Sequence, residues 1–216
     1  MPNHVYQVLK IKDDNKLNEI IEFMRGKDDE GNDIAFDGRK LIQTPAELID
    51  TRSPTIIIPD SKFTEEDRKN KSIKQSESIA LIEKYGFNNW YEWNVENMGT
   101  KWGIYESAYD SNNHHFSFQS AWSPAIKFIQ KLSEIFRGTN FELFAVDEGL
   151  CFIVKFDVCN GAFQETSYSR EDFETPDILE MVGLGRYNEE NEDDKDENEE
   201  NEEIEHISME QLKQEI

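Results

Sequence analysis

SPAIKFIQKLSEIFRGTNFELFAVDEGLCFIVKFDVC, residues 123–159, sets a helix, a turn and two strands in succession. Ser123 and Pro124 predict the helix start, with serine as the cap and proline in the first turn. Ile126, Ile129, Leu132, Ile135 and Phe136 follow helical spacing, and Gly138 predicts the stop. Residues 141–146 read as a strand, Asp147-Glu148-Gly149 as a tight turn, and residues 151–158 as a second strand in which Phe152, Val154, Phe156 and Val158 share a face. With the rest of the chain, these elements give the order strand, helix, inserted region, two strands, helix, two strands.

Upstream, residues 101–109 and 115–121 read as two strands joined by a turn at residues 110–113. The N-terminal VYQVLKIK, residues 5–12, is strand-like, with Val5, Gln7, Leu9 and Ile11 on one face. A helix follows. Asn15 is its expected cap, Leu17, Ile20, Ile21 and Met24 its stripe, and Gly26 its C-terminal stop. Residues 27–38 read as a polar loop around a weak apolar island. Residues 39–50 read as a short strand, a break at Pro45 and one helical turn, and SPTIIIP, residues 53–59, as an edge segment or packed loop. Residues 64–74 are highly charged, and residues 76–85 read as a helix with Ile79, Leu81 and Ile82 on its apolar side. Residues 40–88 therefore look inserted into the better-defined domain, which is expected to run from 1 to 188.

From Glu189 to Glu205 the chain has 12 acidic residues and one lysine. This low-complexity stretch predicts a solvated tail over 189–216, with ISMEQLKQEI at its end helical in composition. Formal net charge over the 216 residues is -23, from 46 acidic and 23 basic residues. That field repels duplex nucleic acid, whose binding needs Lys and Arg to displace counterions. It favours a partner with a basic surface, including the DNA-binding groove of another protein. With 12% aromatic residues the chain can still close a core. No apolar run approaches the roughly 18 residues of a membrane span, and the N-terminus does not read as a signal peptide.

Chemistry-bearing patterns are sparse. There is no phosphate-binding glycine loop, and GLGRYN at Gly183 lacks both a preceding strand and a third glycine. The histidines, His4, His114, His115 and His206, show no metal-site spacing, and no serine sits in a nucleophile-elbow context. Neither a metal nor a cofactor is expected. Cys151 and Cys159, if both lie on one strand, share a face about 26 Å apart at roughly 3.3 Å per residue. They are expected as small buried hydrophobes without a disulfide. Asp147 and Glu148 are read as hairpin-turn residues before any paired-carboxylate site.

The concentrated signal is NNWYEWNVENMGTKWG, residues 88–103. With Trp122 it gathers all four tryptophans, Trp90, Trp93, Trp102 and Trp122. Aromatics among polar groups can stack bases, yet Lys101 is the sole cation between residues 88 and 110 while Glu92, Glu96 and Glu106 are present. Large aromatics are also how a small domain gains buried area. A wall of the core is therefore expected first, with a partner-binding surface as the alternative. Asn94, Asn97 and Lys101 either tie the loop to the sheet or face the partner.

Four blocks in order, MPNHVY, WYEWNVENMGTKWG, FSFQSAWSP and FELFAVDEG, resemble the YubB ferredoxin-like family over most of residues 1–163. That family occurs in phages, plasmids and other bacterial mobile elements, and its biochemical function is not established. The resemblance implies a ferredoxin-like α+β fold, a mainly antiparallel sheet covered on one face by two helices, and brings no catalytic residues. Together with the charge, it leads us to expect a non-enzymatic accessory protein in the bacterial host cytoplasm. It would bind a host or defence protein, as a mimic of nucleic acid or an inhibitor. Candidate partner-binding residues are Trp90, Trp93, Asn94, Asn97, Lys101, Trp102 and Trp122, with Glu192, Asp193, Asp194, Asp196 and Glu197 in the tail. The alternatives are a single-stranded nucleic-acid module using a tryptophan-rich sheet, and an acidic domain whose charge has no specific role.

Overall fold

A computed structural model of the chain describes residues 3–169. These fall in one compact unit, Met1–Ser169; a second unit spans Arg170–Ile216. The tail expected over 189–216, the helical composition read at its end and its five acidic candidates lie outside the described residues.

In chain order the elements are β1 (His4–Ile11), α1 (Asp14–Met24), β2 (Gly26–Lys27), β3 (Asp33–Ile34), α2 (Ala46–Ile49), β4 (Ile57–Ile58), α3 (Glu65–Lys69), β5 (Ile73–Lys74), α4 (Gln75–Tyr85), α5 (Trp90–Met98), β6 (Tyr105–Asp110), β7 (His115–Ala121), α6 (Ile126–Ile135), β8 (Phe141–Asp147), β9 (Ile153–Cys159) and β10 (Ala162–Ser167). Six strands form one sheet in the order β10-β9-β8-β1-β7-β6, with every pairing antiparallel. Without the insertion, β1-α1-β6-β7-α6-β8 is the βαββαβ unit of a ferredoxin-like domain; β9 and β10 extend its β8 edge.

The alternation in the strands decides where the core lies. Val5, Gln7, Leu9 and Ile11 of β1 share a face with Phe116 and Phe118 of β7, Leu143 and Ala145 of β8, and Val154, Phe156 and Val158 of β9. Leu17, Ile20, Ile21 and Met24 of α1 and Phe128, Ile129 and Leu132 of α6 bury against that face in one cluster. The two-helix cover is therefore as expected. The other face carries ion pairs, Lys12 to Glu142 at 3.0 Å and Lys155 to Asp157 at 2.9 Å, around Val8, Phe144, Val146 and Ile153, which are buried too.

Several local expectations are corrected. Asp13, not Asn15, caps α1, its carboxylate accepting from the Asn15 amide. Gly26 is not a left-handed stop but the first residue of β2, where an added Cβ would stand 2.2 Å from Oδ2 of Asp37. The apolar island holds Phe36, fully buried and packed on Phe116 and Phe118. No strand forms over residues 39–44; a 3-10 turn, Gly38–Lys40, stands there. Residues 101–104 likewise precede β6. Ser123 does not cap α6, whose N-cap is Ala125 with no side-chain cap bond; the Ser123 carbonyl accepts from Ser120 Oγ at 2.6 Å.

The insertion builds its own small cluster from Leu48, Ile73 and Leu81, with Tyr85, Trp90 and Trp93 packed against it. β4 and β5 pair there as a two-stranded parallel sheet, so residues 53–59 contribute an edge segment. On α4 only Leu81 of the expected trio is buried; Ile79 and Ile82 are about half exposed, at 51% and 48%. The helix is anchored along Ser78, Leu81 and Tyr85 instead, a stripe rotated away from the two isoleucines.

Candidate functional site

The tryptophan segment folds as α5 because its polar residues are helix signals. Asn89 is the N-cap, its side chain accepting from the Glu92 amide at 2.9 Å, which satisfies one of the orphan donors of the first turn. Gly99 takes the left-handed conformation, φ 75°, that ends the helix. Asn97 donates to the Trp93 carbonyl at 2.9 Å, within the helix. Asn94 is buried; it accepts from Thr44 Oγ1 at 2.6 Å and donates to the Lys101 carbonyl at 3.1 Å. Asn94 and Asn97 therefore tie the segment together, and Asn94 sets the position of Lys101.

The expectation that the tryptophans wall the core holds for Trp90 and Trp93 and fails for Trp102 and Trp122. The core is built from phenylalanines, with Phe36, Phe116, Phe118, Phe128 and Phe141 almost fully buried. Trp93 packs on the edges of both clusters and Trp90 on the small one. Trp102 and Trp122 are 39% and 42% exposed. None of the four stands on the sheet face. Trp90 and Trp93 are on α5, Trp102 lies before β6, and Trp122 directly follows β7, so the tryptophan-rich sheet of the nucleic-acid alternative does not exist.

The structure instead brings Lys101, Trp102 and Trp122 together. Lys101 Nζ lies 4.9 Å from the Trp102 ring centroid and 4.8 Å from that of Trp122, within the range of cation–π attraction. Among the described residues its ammonium has no hydrogen bond or ion pair. Edge contacts extend the patch in both directions. Tyr91 meets Trp122 at 6.0 Å and Trp90 at 5.8 Å; Tyr105 meets Trp102 at 6.3 Å and His4 at 5.9 Å. The Tyr105 hydroxyl donates to the Ser120 carbonyl at 3.0 Å and lies 2.9 Å from His4 Nδ1. Burial, and then the charges of Glu106, Tyr6 and Glu148, hold its pKa above the ordinary phenol value, so the ring stays neutral in an acidic surround.

Two backbone features shape the patch. Trp122 has φ 72°, a left-handed conformation that is a genuine outlier for a bulky residue. It is held there by its amide, which donates to the Asn3 carbonyl at 3.0 Å. Glu106 has φ 50° within the irregularity that shifts the β6–β7 register between Tyr105 and Ala108. Sequence reasoning missed Tyr91, Tyr105 and His4. Tyr91 lies inside the quoted segment and was open to selection; Tyr105 and His4 meet only through the β1–β7–β6 register.

Other candidate chemistry resolves into structure. Asp147 is buried and accepts from the amides of Gly149 at 2.9 Å and Cys151 at 3.3 Å, so it builds the turn. Cys151 is exposed in that turn rather than buried on a strand, and Cys159 is half-buried; both are free. The Asp147 carboxylate beside Cys151 pushes its thiol pKa up, away from the thiolate. A cleft of about 180 Å³ opens between the insertion and the core, lined by Gly38, Ile42, Ile49, Met98, Ile104 and Phe128 among others. Its wall is mainly apolar, without Asn94, Asn97 or Lys101. Among the described residues no group of three His, Cys, Asp or Glu side chains is placed to hold a metal ion, and no helix is long and apolar enough to cross a membrane.

A family model described as a ferredoxin-like domain in Api92-like protein matches residues 101–211. No curated protein and no solved structure matches the chain.

Proposed function

The chain belongs to the family of ferredoxin-like domains in Api92-like proteins, and from that premise we propose that it is a non-enzymatic accessory protein whose partner is a protein with a basic surface. The observation that carries this reading is the exposed Trp102–Lys101–Trp122 patch on an acidic chain. Residues 3–169 hold 27 acidic and 19 basic residues, and the whole chain carries -23. Tryptophans left half in solvent, one in a strained conformation, are the residues that anchor interfaces, and strain of that kind clusters at functional positions. The surrounding charge steers a basic partner and repels phosphates.

The resemblance of the four sequence blocks to a mobile-element family supports seeking the partner among host or defence proteins of a bacterial cytoplasm. A nucleic-acid-binding groove, in which the acidic chain replaces nucleic acid, fits best. Titration of an arginine-rich peptide and of a short oligothymidylate, side by side at low salt, tests the reading. Saturable binding of the peptide, weakened by salt, with no binding of the oligonucleotide is the expected result. The reverse pattern would replace it with the single-stranded nucleic-acid reading. Binding of neither would leave an acidic domain whose charge has no specific role.

A further inference from the structure

We propose that Trp102 and Trp122 form an aromatic clamp for an arginine side chain of the partner, and that Lys101 occupies this clamp as an internal stand-in until the partner displaces it. The inference rests on the reading of a basic protein partner and names the residue type that anchors it.

Lys101 Nζ sits at nearly equal distances, 4.9 and 4.8 Å, from two indole centroids. Tryptophan offers the strongest cation–π face among the aromatic side chains, and a half-exposed pair meeting on one cation is a receptor geometry for cations. The occupant is loosely held. Among the described residues it makes no other polar contact, whereas other surface lysines of the chain close ion pairs, Lys84 with Glu47 at 2.6 Å and Lys131 with Glu134 at 3.0 Å. A guanidinium would compete well, because it is planar, stacks on aromatic faces and is more weakly hydrated than an ammonium.

The frame is built to hold the clamp open. The Lys101 backbone is pinned on both sides, its carbonyl by Asn94 at 3.1 Å and its amide by the Ala121 carbonyl at 3.4 Å. Displacement therefore moves only the side chain. Tyr105 braces Trp102 and Tyr91 braces Trp122 by edge contacts. The left-handed backbone of Trp122 is held by its bond to Asn3. Glu106 and Glu148, which accept from Gln119 at 2.6 Å and from the His4 amide at 2.9 Å, add negative charge on the Tyr105 side of the patch.

The experiment follows tryptophan fluorescence of the full chain while a short arginine-containing peptide, or the same peptide with citrulline in place of arginine, is added. The arginine peptide is expected to give a saturable change and the neutral peptide none. Lys101→Ala is expected to tighten the arginine peptide about fivefold by emptying the clamp. Trp102→Ala and Trp122→Gly are expected to abolish the response, with circular dichroism confirming the fold. Equal binding of the neutral peptide, or weaker binding by Lys101→Ala, overturns the clamp. If a basic DNA-binding protein still binds the tryptophan variants as tightly as the parent, the clamp fails while the partner reading stands. If it binds no form of the chain, both fall.

Discussion

Asn94 donates its side-chain amide to the carbonyl of Lys101, seven residues on, at 3.1 Å. This bond runs from inside α5 to the loop beyond its end, and the same side chain receives the Thr44 hydroxyl at 2.6 Å. A buried asparagine thus links the insertion, the helix and the cation of the surface patch. Asn94→Leu would leave the Thr44 hydroxyl and the Lys101 carbonyl, both partly buried, without this partner. We expect a loss of about 1–3 kcal/mol in urea unfolding and freer access of a quencher to Trp102. Unchanged stability would show that water replaces Asn94 without cost.

Trp122 sets backbone strain against side-chain contacts. A side chain in the left-handed region costs roughly 1–2 kcal/mol, and the edge contact with Tyr91 returns about 0.5–1.5 kcal/mol. Trp122→Gly relieves the strain but also gives up the Tyr91 and Lys101 contacts and the buried part of the indole, so a loss of about 1–3 kcal/mol is expected while the patch loses one of its rings. Trp122→Ala keeps the strain and loses the contact, and should be less stable than Trp122→Gly by about 1 kcal/mol. Thermal unfolding of the two variants decides the order. A more stable alanine form would mean that the backbone relaxes out of the left-handed region.

Gln7 is a polar residue on the core face of β1, and its burial is explained by two short bonds. Its Oε1 accepts from the Ala125 amide and its Nε2 donates to Ser120 Oγ, both at 2.7 Å. The first satisfies a free amide at the start of α6, which has no side-chain cap. Gln7→Leu is nearly volume-conserving and more apolar, yet it strands a buried N–H. The expected result is a loss of about 1–3 kcal/mol in chemical denaturation; a gain would mean that apolar packing outweighs the stranded amide.

The βαββαβ order was legible because α1, α6 and the strands keep clean periods, and Val5, Leu9, Ile129, Leu132, Val154 and Phe156 sit where alternation and helical spacing put them. The β10 hairpin has a local signature as well. Asn160-Gly161, with φ 52° and 82°, is the two-residue turn signal that joins β9 to β10. Phe36 was not legible, since a lone aromatic in a polar loop carries no periodicity. Gly26 misled because a glycine after a helix reads as a cap, whereas its reason is the carboxylate of a residue eleven positions on. At the site, Lys101, Trp102 and Trp122 could be chosen by residue type, but which tryptophans face solvent depends on where the loop before β6 meets the end of β7. That is a tertiary fact without a local signature.

Asp37 gives the fold an acid-sensitive joint. It is buried beside Gly26 and accepts from the Arg39 guanidinium at 2.8 Å and from the Arg39 amide at 3.1 Å. Burial alone would raise its pKa, but the Arg39 hydrogen bonds and charge outweigh it and hold the carboxyl below its ordinary value. A group whose folded pKa is depressed stabilises the fold above its unfolded pKa and loses that contribution as pH falls through the folded one. The unfolded value for aspartate is about 3.9, so the loss is confined to the range below about pH 4. Asp37→Asn keeps the shape but not the charge. It is expected to be less stable than the parent near neutrality, with the difference shrinking once the pH drops below about 4. Urea midpoints of both proteins across that range give the measurement. A difference that stays constant with pH would mean that Asp37 acts through shape and hydrogen bonding alone, and that its charge against Arg39 contributes nothing to folding.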